Sequence, residues 1–147
     1  MMKEQEKQES KSEEVYVDSN LFIYASSEEG IISKNAYEII KKINDGNLIA
    51  YTSTLTMDEV LYIIQKKVGR EIAANIIENY IKLNNLNIIS VDLEILNKSI
   101  EIYKSTNLKP RDSIHLAVMK INKISAMISS DPDFDKIKDV KRIDFSK

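Results

Sequence analysis

Five short runs of strand character, EVYVD, NLIAYTS, LNIISV, ISAMISS and VKRID, punctuate this chain, and most of the stretches between them repeat apolar residues at helical spacing. Several of the runs are apolar on both faces, so their strands belong in a sheet covered on both sides. The helical stretches are long enough to carry the chain back, which lets neighbouring strands run parallel. The expected architecture is α/β, a three-layer α/β/α sandwich around a short central parallel sheet.

The helices follow from the spacing. Ile32, Ala36, Ile39, Ile40 and Ile43 set a helix within residues 27–46, ended by NDG. Thr56 opens a helix with Val60, Ile63, Ile64 and Val68 on one face, closing near Gly69. A third covers about residues 70–84, and a fourth runs from Asp92 to about Ser105. After the break NLKP, Pro110 suits the first turn of a helix reaching about Asn122. DPDFDKI reads as a loop or a single helical turn. Residues 1–14, MMKEQEKQESKSEE, lack apolar periodicity and read as a disordered charged tail. Residues 15–147 then form one domain, long enough to bury a proper core.

Composition narrows the chemistry. The chain has no Cys and a single His, which excludes disulfides, thiolate zinc centres and His-rich metal sites. Any metal must be held by oxygen, which points to Mg²⁺ or Mn²⁺. No run approaches the roughly 18 apolar residues of a membrane span, and the N-terminus lacks a signal-peptide core. A cytoplasmic protein without membrane contact is expected. The tail holds five Glu and three Lys, which accounts for the whole net charge of −2. The remaining chain is therefore neutral and exerts no general pull on nucleic acid, so any such function must rest on a local site.

Four acids share a position type. Asp18 ends the first strand, Glu59 lies in the first turn of the helix after the second, and Asp131 follows the fourth. Those places lie along one edge of a parallel sheet, where open α/β folds put their chemistry. Asp112 opens a helix that leads into a strand, and only tertiary packing brings it to that edge. Each acid also has an ordinary explanation. Asp18 caps or turns, Glu59 completes a capping box with Thr56, Asp112 favours a helix dipole, and Asp131 starts a turn before Pro132. Four unrelated caps, however, need not converge. Carboxylates about 4 Å apart repel by about 4 kcal/mol at an effective dielectric of about 20. A converged group takes up protons or binds a cation, and with no Lys or His embedded in the four short acid motifs, a hard divalent ion is the natural partner. Such an ion makes a phosphodiester substrate compatible with an acidic pocket.

The stretches VYVDSNLFIYA, TSTLTMDEVLYII, LKPRDSIHLAVMK and ISAMISSDPDFDKI, in that order and spacing, resemble a PIN domain over residues 15 to about 143. The chain is most similar to the VapC-type toxin ribonucleases of prokaryotic toxin–antitoxin pairs. The resemblance implies a Mg²⁺- or Mn²⁺-dependent endoribonuclease, with Asp18, Glu59, Asp112 and Asp131 as the catalytic and metal-holding acids. It implies hydrolysis of RNA to a 5′-phosphate and a 3′-hydroxyl. It also implies a homodimer and a small antitoxin partner. Ser19 and Asn20 match the polar pair that orients the first acid, and Ser129 matches the small hydroxyl residue two places before the fourth. In DPDFD, Asp131 is favoured for the fourth position, Asp133 comes second and is counted with the metal-holding acids, and Asp135 caps the turn.

Other residues carry less. His115 sits three places after Asp112 on the same helical face and reads as a support for a ligand acid. Arg111 and Lys109 flank the third acid, either steering a phosphate or simply solvated. Lys66, Lys67 and Arg70 suit a helix end. Phe22 and Tyr24 read as packing or dimer contacts. The alternatives are a PIN nuclease of RNA processing or repair without an antitoxin, a catalytically silent PIN-like binding module, and a phosphoacceptor or phosphatase domain using Asp18 as nucleophile. The last wants a paired acid or an embedded catalytic Lys, and neither is evident.

Overall fold

The computed structural model describes residues 13–27 and 29–147. Among them, β1 (Glu13–Val17), β2 (Leu48–Ser53), β3 (Leu86–Ile89), β4 (Ala126–Ile128) and β5 (Lys141–Ile143) form one sheet. All pairings are parallel, in the order β3-β2-β1-β4-β5. Helices α1 (Ser19–Ala25), α2 (Gly30–Asn44), α3 (Thr54–Val68), α4 (Arg70–Ile81), α5 (Leu93–Ser105) and α6 (Pro110–Ile121) connect them, with a 3₁₀ turn at Pro132–Lys136. The disordered-tail reading of residues 1–14 lies mostly outside the described residues. Its last two, Glu13 and Glu14, pair with Leu48 and Ile49 as the start of β1.

The strand period of two divides β1 between two cores. Val15 and Val17 join one, with Leu21, Phe22, Ile43, Val60, Ile64 and Ile77 from α1 to α4. Tyr16 joins the other, with Ile95, Ile102, Leu116 and Met119 from α5 and α6. The sheet is thus covered on both faces, the three layers expected from its apolar strands.

Two local readings need correction. The first helix begins at Ser19, directly after Asp18, because the Asp18 carboxylate accepts the Ser19 N–H and caps it. A separate helix then starts at Gly30. At α3 the cap is Ser53, whose extended backbone ends β2 and whose Oγ accepts the Thr56 N–H. The helix therefore opens at Thr54, so the Thr56–Glu59 capping box does not form and Glu59 falls in the second turn. Between α3 and α4, Gly69 takes φ 83°, ψ 172°, which lets one residue end one helix and begin the next. Phe22 is fully buried against Tyr80, with rings edge to face, while Tyr24 is partly exposed.

Candidate active site

The chain runs β1, β2, β3 toward one side of the sheet and then returns to place β4 on the other side of β1. The point of reversal lies between the C-terminal ends of β1 and β4, where open parallel sheets leave a crevice. Asp18 leaves β1 there with its N–H on the Ile128 carbonyl of β4, and Ser129 and Asp131 leave β4 beside it.

Asp18 is 5% exposed and fully engaged. Its Oδ1 accepts from the Ser19 N–H at 2.8 Å, and its Oδ2 accepts from Ser129 Oγ at 2.7 Å and Asn20 Nδ2 at 3.3 Å. Asn20 also donates to Ser129 Oγ and accepts from the Ser130 N–H. Ser19, Asn20 and Ser129 therefore all hydrogen-bond to the first acid. Ser129 Oγ accepts the Asp131 N–H as well, so the first and fourth motifs share one hydroxyl.

Asp112, in the first turn of α6, meets Asp131 and Asp133, and the three offer carboxylate oxygens all within 4.8 Å of one another. Packing of α6 against the second core carries its N-terminus to the sheet edge, which spacing alone did not show. Both Asp131 and Asp133 belong to the cluster, and Asp131 Oδ1 accepts the Asp133 N–H. Asp135 does not cap the turn. Asp131 does, and Asp135 instead forms a two-pronged ion pair with Arg142 at 2.7 and 2.9 Å. Arg142 also donates to the Ser129 carbonyl, tying the fourth motif to β5.

Glu59 lines the same cleft but lies outside the three-aspartate group. Its Oε1 lies 2.8 Å from Nε2 of His115, a side chain 1% exposed. Nε2 is also 3.6 Å from Asp18 Oδ1, so His115 bridges the first and second acids. Nδ1 lies 2.7 Å from Tyr16 Oη, whose own proton goes to Ser53 Oγ. Nδ1 then donates to the Tyr16 oxygen, and Nε2 is the donor to Glu59. Burial opposes charge on this imidazole, but Tyr16, Glu59 and Asp18 outweigh it and hold its pKa well above the ordinary histidine value. The sequence reading named His115 as a support for a ligand acid, and here it contacts Glu59; it did not single out Tyr16. A strand Tyr among valines looks like core, and only the pairing of its hydroxyl shows otherwise.

Burial, with Asp131, Asp18 and Asp133 around it, pushes the Asp112 carboxyl up to about 6, against an opposing pull from His115. The acids therefore sense one another, as convergence requires. Oxygen donors at this spacing, with a repulsion that a cation would relieve, fit a hard divalent ion. Glu59, Asp112 and Asp131 line a cleft of about 560 Å³ together with Lys109, Pro110 and Arg111. The two cations thus flank the acids at the mouth of the site.

Known proteins share this sequence pattern and fold. Ribonuclease VapC6 of Methanocaldococcus jannaschii is 29% identical over 142 residues, covering 81% of this chain and 93% of its own. The fold matches VapC20 of Mycobacterium tuberculosis, a sarcin–ricin loop cleaving toxin, with TM-score 0.70 at 15% identity over 86% of this chain and 96% of the other. It matches a toxin–antitoxin complex from Klebsiella pneumoniae with TM-score 0.64 at 21% identity over 86% and 95%. The model of the PIN domain covers residues 15–140, and with that span, this fold and these acids at the sheet's switch point, the chain belongs to the PIN-domain family.

Proposed function

We propose that this chain is a divalent-metal-dependent endoribonuclease of the VapC type, the toxin of a toxin–antitoxin pair acting in the cytoplasm. The observation that carries the reading is the meeting of Asp112, Asp131 and Asp133 at one sheet edge, with Asp18 near enough to help raise the Asp112 pKa and Glu59 lining the same cleft. Asp112, Asp131 and Asp133 would hold Mg²⁺ or Mn²⁺, with Asp18 and Glu59 completing the acidic site. When bound, such an ion activates water and stabilises charge on a phosphoryl oxygen.

The protein's own part is orientation. Ser19, Asn20 and Ser129 fix the Asp18 carboxylate, and His115 fixes that of Glu59, so both acids meet a substrate without rearranging. Arg111 and Lys109, at the cleft mouth, offset the acids toward an incoming phosphate. No helix among the described residues is long and apolar enough to cross a membrane. The fold shared with toxin–antitoxin complexes supports an antitoxin partner, and a second copy of the chain is the further partner implied by the family.

Purified protein is to be tested on a 5′-labelled structured RNA with Mn²⁺, Mg²⁺ or EDTA, beside Asp18→Asn. Cleavage that requires the metal, leaves 3′-hydroxyl ends and falls at least 100-fold in the variant is expected. Metal binding by folded protein that never cuts RNA would replace this reading with a docking module.

A further inference from the structure

Beside the acidic cleft runs a second groove of about 310 Å³, formed where the break after α5 faces the 3₁₀ turn. The two meet at Lys109, which borders both. Asp133 lines the second groove and belongs to the aspartate cluster, so the groove opens directly onto the proposed centre. Lys109 and Lys136 are its exposed cations, and neither forms an ion pair among the described residues. The buried Leu108 and half-buried Ile137 add an apolar lining. The exposed Asn107 brings a side-chain amide with no hydrogen bond among the described residues. The cleft between α5 and α6 differs, because Glu94 and Glu101 line it beside Lys98 and Lys120, and Lys98 is paired with Glu101.

Because the body of the chain is neutral, an RNA strand crossing five carboxylates needs cations supplied locally. A nucleotide presents an anionic phosphate, an apolar base face and a hydrogen-bonding edge. Unpaired lysines, an apolar lining and a free amide answer those three in one groove at the small end of ligand-site volumes. Resting on the nuclease reading above, we propose that this groove binds the RNA nucleotide next to the scissile phosphate. The backbone phosphate is taken by Lys109 and Lys136, and the base lies along Leu108 and Ile137 within reach of the Asn107 amide.

The test uses full-length protein made inactive by Asp112→Asn, in Mg²⁺, with a fluorescein-labelled single-stranded RNA 12-mer of mixed sequence followed by anisotropy across a salt series. Lys136→Ala is expected to weaken binding at least five-fold and lower the salt slope by about 1. Asn107→Ala, which changes no charge, is expected to weaken binding about three-fold and leave the slope unchanged. Lys41→Ala, on α2, serves as the charge-matched control and leaves both unchanged. Circular dichroism confirms that each variant is folded. Binding by Lys136→Ala and Asn107→Ala as tight as by the parent overturns the groove and leaves the nuclease standing. Failure of the parent protein to bind RNA at all overturns both.

Discussion

Asp112 and His115 lie one helical turn apart and are shifted by different causes. The Asp112 carboxyl, raised to about 6 by burial and by the neighbouring aspartates, favours its protonated form in the folded protein. Its share of stability is therefore greatest at low pH and falls as pH rises from about 4, the unfolded value, through about 6. Asp112→Asn removes that penalty. In EDTA at pH 7 the variant is expected to be more stable by about 1–2 kcal/mol, allowing for the solvent that reaches a half-buried carboxylate. Urea unfolding should show the gain at pH 7 and lose it near pH 4, while RNA cleavage is abolished; equal midpoints at pH 7 would contradict the repulsion. His115 is held above its ordinary value, so its contribution is complete below about 6.5 and lost as pH climbs through its folded value. Tyr16 is the residue on which that imidazole leans. Tyr16→Phe leaves Nδ1 without its partner and is expected to cost about 1–2 kcal/mol in urea unfolding. It should also reduce kcat more than KM, because Glu59 is then less well fixed.

At the scale of elements, the joints between helices and strands set where the acids stand. Ser53 rather than Thr56 caps α3, which turns Glu59 into the second turn and toward His115. The sequence reading took Thr56 as the cap, and the shift to Ser53 depended on the extended backbone at the end of β2. The junction of α3 and α4 rests on Gly69, whose φ of 83° with extended ψ is a conformation that only glycine adopts easily. Nothing lies within 4 Å of a Cβ built there, so steric crowding is absent and only backbone strain remains. Gly69→Ala should therefore lower stability by about 1–3 kcal/mol in thermal or urea unfolding, with cleavage by the folded fraction unchanged. A neutral effect would mean that the junction relaxes.

Across the whole molecule, two cores on opposite faces of the sheet flank the switch point, and the carboxylates at it repel one another. Mn²⁺ at a hundred times its dissociation constant is expected to stabilise the fold by about 2.7 kcal/mol. For a chain of this length that amounts to a rise of roughly 5–10 °C in Tm relative to EDTA. The rise should shrink below pH 6, where protons compete for Asp112. A Tm that ignores Mn²⁺ at every concentration would remove the metal from the proposal. The sequence alone determined the layered α/β fold, because apolar runs of strand length separated by helical periods have few other ways to be buried. It also marked Asp18, Asp112 and Asp131, since strand ends and helix starts are visible in local patterning. Only the tertiary structure decided that Asp133 joins the cluster, that Asp135 turns away to Arg142, and that Tyr16 secures His115 and through it Glu59. Those are contacts between residues as many as 99 positions apart, and through-space distance leaves no trace in local spacing.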